Sequence, residues 1–281
     1  MFTTLISSDS LMQSLADPNW VVIDCRFVLS EPAAGERAYR QGHIPGAHYA
    51  HLERDLSAQV DAHSGRHPLP ERTRLIARLE AWGVGRASQV IVYDDAGGPM
   101  AARLWWLLRW LGHAAVALLD GGWGQWLQEG RPVEAGAAPQ RRSAVFTPRE
   151  PLVDWLRTAE VQDAMRRRAI QLLDARAPER FRGELEPIDT IAGHVPGAIN
   201  RPFVLNLAAD GRFLPAVELR RQFSTQLAHI APRQVVHMCG SGVTACHNLL
   251  AMEHAGLPGS RLYAGSWSEW IRDPGRPVAR G

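Results

Sequence analysis

Short apolar runs alternate with longer amphipathic stretches along this chain, and the whole alternation occurs twice. In the first half, Trp20–Asp24, residues 90–93 and Val116–Leu119 are near-continuous, β-branched apolar runs. Strands buried on both faces read in this way. Residues 72–82, 101–111 and 123–128 instead carry apolar side chains at helical spacing, with polar residues on the opposite face. Strands alternating with helices predict an α/β domain with a mainly parallel sheet, whose site lies at the carboxyl ends of the strands.

The repeat is legible residue by residue. Val21-Val-Ile-Asp-Cys-Arg26 matches Gln171-Leu-Leu-Asp-Ala-Arg176, and Gly42-His-Ile-Pro-Gly-Ala47 matches Gly193-His-Val-Pro-Gly-Ala198. Gln89-Val-Ile-Val-Tyr-Asp94 matches Gln234-Val-Val-His-Met-Cys239, and Gly122-Trp-Gly-Gln-Trp126 matches Ser266-Trp-Ser-Glu-Trp270. Four motifs in one order, about 150 residues apart, indicate two duplicated domains rather than a solenoid of shorter units. The expected boundaries are 1–138 and 151–281. The small-residue and polar stretch 139–150 between them reads as a linker.

One position breaks the symmetry. The strand-like run before Cys239 ends in a thiol, followed by Gly-Ser-Gly-Val-Thr and a helical pattern over 243–255. The backbone N–H groups of Gly240, Gly242, Val243 and Thr244 are expected to form an anion-binding turn at a helix N-terminus. A nucleophilic or sulfur-carrying cysteine suits that setting. The first copy has Asp94 in this place.

Composition narrows the chemistry. All positive side chains are arginine, because the sequence contains no lysine. Walker-type phosphate loops, kinase lysines and Schiff bases are thereby excluded. A net charge of +2 gives no reason to expect nucleic-acid binding. The chain starts without a basic, apolar leader, and its most apolar stretch is broken by Arg109, Gly112 and His113. A soluble, cytoplasmic protein with no membrane span is the expectation, with Cys25 and Cys246 as buried, unpaired thiols. The histidines at 43, 48, 51, 63 and 67 follow no ligand spacing, so no metal is expected. The tryptophans at 105, 106, 110, 123 and 126 read as core.

Taken together, the paired Gly-His motifs, the Cys239 loop and the Trp-containing ends resemble the tandem-domain rhodanese, or sulfurtransferase, family over nearly the whole chain. The resemblance implies two tandem rhodanese-like α/β domains, the first catalytically silent, with Asp94 at the cysteine position. It implies that Cys239 takes a sulfane sulfur from mercaptopyruvate or thiosulfate, holds it as a persulfide, and passes it to a thiol, cyanide or reduced thioredoxin. No cofactor is needed for that transfer. The loop sequence is similar to that of the mercaptopyruvate-preferring subgroup. There the serine, here Ser241, is proposed to act with a histidine and an acidic residue from the first domain. His43 matches the histidine, while Glu31 and Glu36 both precede it as acidic candidates. Of the two arginines that such enzymes use for the substrate carboxylate, Arg180 matches one and Ile188 replaces the other.

Two rival functions share parts of this pattern. A cysteine phosphatase or arsenate reductase needs an arginine six residues after the cysteine, where this chain has Ala245. A sulfur-carrier or docking protein would keep the Cys239 loop and deliver its sulfur to a protein partner.

Overall fold

The computed structural model describes residues 1–137 and 143–281, which group into two compact units. Each unit holds one five-stranded, wholly parallel sheet with helices packed against it.

In the first, β1 (Leu5–Ile6), β2 (Trp20–Asp24), β3 (His48–Tyr49), β4 (Gln89–Tyr93) and β5 (Val116–Leu119) lie in the order β1-β5-β4-β2-β3. All five residues of the central β4 are buried, which explains its unbroken apolar run. The helices Arg72–Ala81, Pro99–Trp110 and Gly122–Gln128 coincide closely with the helical patterns in the sequence. Pro99 opens its helix at a position where a missing N–H costs nothing. Trp105, Trp106 and Trp126 are fully buried, as core side chains.

The second unit repeats the order. β6 (Asp154–Leu156), β7 (Gln171–Asp174), β8 (Ile199–Asn200), β9 (Val235–Met238) and β10 (Arg261–Tyr263) lie as β6-β10-β9-β7-β8. β9 occupies the place of β4, so Cys239 and Asp94 follow equivalent central strands.

The chain does not divide at a single point. Residues 59–69 group with the second unit and residues 208–213 with the first, whereas one boundary near 138–151 was expected. The described part of the expected linker is mostly exposed but is anchored to the first unit at a few points. Ala144 and Phe146 donate backbone N–H groups to Glu80, Arg149 to the Leu111 carbonyl, and Phe146 is buried. Residues 138–142 of that stretch lie outside the described residues. Among the described residues no helix is long and apolar enough to cross a membrane.

Candidate active site

Cys239 follows β9 directly and is 3% exposed. Its backbone is tied on both sides: the N–H donates to Ser266 Oγ at 3.1 Å, and the carbonyl accepts from Trp267 N–H at 3.0 Å. Ser266 Oγ in turn donates to the Tyr263 carbonyl at 2.9 Å. Ser266 holds φ +51 although it carries a side chain, and the equivalent Gly122 of the first unit holds φ +55. The loop turns at Gly242, φ +78, where a methyl group would stand 2.3 Å from the Ala264 carbonyl oxygen. Only glycine allows that approach. Beyond the loop runs the helix Ala245–His254, and Thr244 makes no side-chain cap to it.

The first unit shows what this loop is built to hold. There the Asp94 carboxylate accepts N–H groups from Ala96, Gly98, Met100 and Ala101 at 2.8–3.0 Å. Burial nonetheless raises its pKa, against the lowering effect of those four bonds. The side chain fills its own anion nest. In the second unit Ser241 and Val243 stand where Ala96 and Gly98 stand in the first. Their N–H groups have no protein acceptor among the described residues. The Cys239 loop thus follows the same central strand as the Asp94 loop, with a thiol where the first unit has its carboxylate.

A cluster of arginines and carboxylates borders the loop within the same unit. Arg180 donates through Nε and Nη2 to Glu186, at 2.7–3.1 Å, and through Nη2 to Asp189 at 3.0 Å. Arg66 pairs with the other oxygen of Asp189 through Nη1. Burial pushes the Asp189 carboxyl up from its ordinary range, only partly offset by the two arginines. Burial also works against Glu186, but the Arg180 bonds and the N–H groups of Asp189 and Ile188 hold it below its ordinary value. His67, 3% exposed, places Nδ1 2.7 Å from Ser241 Oγ.

His67, not His43, is therefore the histidine bonded to Ser241. His43 is fully buried in the first unit, with Nδ1 on the Tyr39 carbonyl at 2.7 Å and its ring stacked on Tyr39. His194 does the same in the second unit, on the carbonyl and ring of Phe181. The repeated histidine pins a turn in both copies. Its acidic candidates lie elsewhere: Glu31 pairs with Arg37, and Glu36 with Arg40 and Arg54. Repeated too are the buried pairs Asp24–Arg26 and Asp174–Arg176. Each guanidinium reaches a glycine carbonyl of the Gly-His motif and lies over Trp123 or Trp267.

Arg66 and His67 were missed in the sequence, where they sit in a histidine-rich stretch with no regular pattern. A signal was present: regular structure is absent between the helices Leu52–Asp55 and Arg72–Ala81. Loops of that length inside compact domains usually carry function. Among the described residues no group of three or more His, Cys, Asp or Glu is placed to hold a metal ion. None of Cys25, Cys239 and Cys246 is joined in a disulfide.

Comparison with known proteins bears on this geometry. The family model for the rhodanese-like domain matches residues 7–129 and again 157–273. A Pseudomonas aeruginosa protein named "Probable 3-mercaptopyruvate sulfurtransferase" is 50% identical over 279 residues, which is 99% of this chain and 98% of that protein. The 3-mercaptopyruvate sulfurtransferase of Rattus norvegicus is 34% identical, over 96% of this chain and 92% of its own. The solved 3-mercaptopyruvate sulfurtransferase from Leishmania major superposes with a TM-score of 0.85 at 31% identity, covering 97% of this chain and 76% of that one.

Proposed function

This chain belongs to the rhodanese family of sulfurtransferases, and we propose that it transfers sulfane sulfur through a persulfide on Cys239, from mercaptopyruvate or thiosulfate to a thiol or cyanide. The observation that carries this reading is the pair of equivalent loops. Where the first unit folds the Asp94 carboxylate into its nest, the second presents a thiol and leaves Ser241 and Val243 N–H groups for an incoming anion. A persulfide carries its charge on the outer sulfur, which such amides stabilise. Asp94 makes the first unit catalytically silent.

With mercaptopyruvate, the Cys239 thiolate attacks the donor sulfur and the C–S bond breaks toward carbon. The resulting enolate of pyruvate takes up the proton given up by the donor thiol. With thiosulfate, the same attack on the outer sulfur releases sulfite, which keeps the S–S bonding pair. An acceptor thiolate or cyanide then attacks the outer sulfur, and Cys239 leaves as a thiolate.

Ser241 and His67, joined at 2.7 Å, are the proton-handling pair of this proposal. They favour mercaptopyruvate, whose carbon must be protonated, over thiosulfate, whose leaving group needs no proton. Arg180 is the cation that draws the donor anion. Gly240, Gly242, Val243 and Thr244 shape the nest. Reduced thioredoxin is one acceptor of the required chemistry, and three cysteines outside any disulfide suit a reducing, cytoplasmic setting.

The test is intact mass after exposure to each donor, with and without Cys239→Ser. The wild type should gain one sulfur that cyanide removes as thiocyanate, and the variant should gain none. Full transfer activity in Cys239→Ser would overturn the reading.

A further inference from the structure

We infer that the first unit holds a small tetrahedral oxyanion, phosphate or sulfate, between Arg86, His113 and Arg149. A cavity of about 110 Å3 lies among these residues, with Phe146, Thr147 and the backbone of residues 112–115 in its wall. It sits at the amino-terminal ends of β4 and β5, whereas Asp94 follows the carboxyl end of β4. No part of it comes from the unit that carries Cys239. Pockets for drug-sized ligands start near ~300 Å3, and a water molecule takes roughly 30 Å3. A small inorganic ion is the class that fits.

Every ionisable side chain in that wall is basic. Among the described residues neither Arg86 nor Arg149 has an ion-pair partner, and no acidic side chain lines the cavity. His113 is 7% exposed, and its Nε2 has no hydrogen-bond partner among the described residues. Burial pushes its pKa down and Arg149 adds to that, against the pull of the Ser88 and Ala115 carbonyls. An oxyanion here accepts charge-assisted hydrogen bonds from two guanidinium forks. It also offsets the repulsion between Arg149 and a protonated His113.

All three side chains leave a fixed backbone. Arg86 stands in a turn where the Gly85 N–H donates to Ser88 Oγ at 2.9 Å and the Ser88 N–H to the Gly85 carbonyl at 3.2 Å. The Arg149 N–H donates to the Leu111 carbonyl at 2.9 Å, and a methyl on Gly112 would stand 2.7 Å from Arg149 Cβ. The turn itself does not require a histidine. The His113 N–H donates to the Leu108 carbonyl at 2.9 Å, and in the second unit Leu257 makes the same bond to Met252 at 2.8 Å. Three residues before the matched Gln89 and Gln234 stand Arg86 and Ala231. The copy with a leucine for His113 thus also lacks the arginine.

The experiment follows the ring C–H signals of His113 by NMR in the full chain, assigned by their loss in His113→Asn. Phosphate or sulfate replaces chloride at constant ionic strength, and thermal melting is the fold control. Both ions should shift the His113 signals to saturation. Removing one guanidinium fork, in Arg86→Gln or Arg149→Gln, should weaken binding about 10-fold or more. Arg86→Lys keeps a charge and should lose less. Arg86 is exposed, so its variants decide the question even if Arg149→Gln does not fold. Glycerol 3-phosphate, whose ester tail exceeds the cavity, should bind more weakly than phosphate. A shift that never saturates, or an affinity unchanged in Arg86→Gln, would overturn the site. Equal or tighter binding of the ester would overturn its assignment to a free ion.

Discussion

Replacing Gly242 by alanine tests whether the Cys239 loop is held in one geometry by its contact with the end of β10. Two costs are separable. Gly242 holds φ +78, where an L side chain costs roughly 1–2 kcal/mol. The added methyl would also meet the Ala264 carbonyl oxygen at 2.3 Å and its carbon at 3.1 Å. Restoring ordinary contact needs a displacement of about 1 Å, and overpacking of that kind costs a further 1–3 kcal/mol. Neither side can move without moving the thiol. Ala264 leads into Ser266, whose hydroxyl receives the Cys239 N–H, and Gly242 lies on the loop itself. A displacement near 1 Å in a reacting group costs on the order of 100-fold in rate. Gly259→Ala is the matched control, because Gly259 holds φ +98 with open space where its methyl would go. Denaturant melts should show a loss of about 2–5 kcal/mol for Gly242→Ala and about 1–2 kcal/mol for Gly259→Ala. Single-turnover persulfide formation should fall about 100-fold in the first and stay unchanged in the second. If the two variants match in stability and both transfer sulfur at the wild-type rate, the loop is not held by this contact.

Further outcomes follow from the same geometry. Ser266→Ala keeps the left-handed backbone but leaves the buried Cys239 N–H without its acceptor, so stability should fall by about 1–3 kcal/mol. Ser266→Gly should melt above Ser266→Ala by roughly 1 kcal/mol, since it sheds the strain at φ +51; the reverse order would show that the backbone there is unstrained. Ser241→Ala should cut turnover with mercaptopyruvate more than with thiosulfate, and equal losses would refute a proton-handling role for the Ser241–His67 pair. His237 lies fully buried on β9, and burial, aided by Arg201, pushes its pKa down to about 3. The folded state therefore resists a proton that the unfolded chain accepts near pH 6.5. Stability is full above that pH and declines as pH falls toward 3. Between pH 7 and 5 the loss from this group should be about 2 kcal/mol, read by denaturant titration. His237→Leu should flatten that slope, and an unchanged slope would place the effect in other groups.

The sequence made the strands β2, β4, β5, β7 and β9 legible, because their apolar runs are continuous. The two-residue strands β1, β3 and β8 are too short for any period to register, and only pairing with their neighbours defines them. Cys239 and its loop were legible for a different reason: a single substitution against an otherwise faithful copy. The same logic weighs against His43. A histidine present in both copies, stacked on Tyr39 in one and Phe181 in the other, serves what the copies share, which is the fold. Chemistry belongs where the copies differ: Asp94 against Cys239, Ala96 against Ser241, Gly122 against Ser266.

Arg66 and His67 obey that rule too, but chain order conceals it. They lie in the first half of the sequence, and reading by halves assigns them to the silent copy. The structure groups residues 59–69 with the second unit and residues 208–213 with the first. Each half thus lends a segment to the other's fold, and the two segments bring different side chains. In the first unit Arg212 pairs with Glu129, and the Phe213 N–H donates to Asp120 beside the closed Asp94 loop. In the second, Arg66 and His67 arrive at an open one. Duplication supplied two loops that follow equivalent central strands. The exchange of segments between them explains why half of the candidate site is written more than a hundred residues before the thiol it serves.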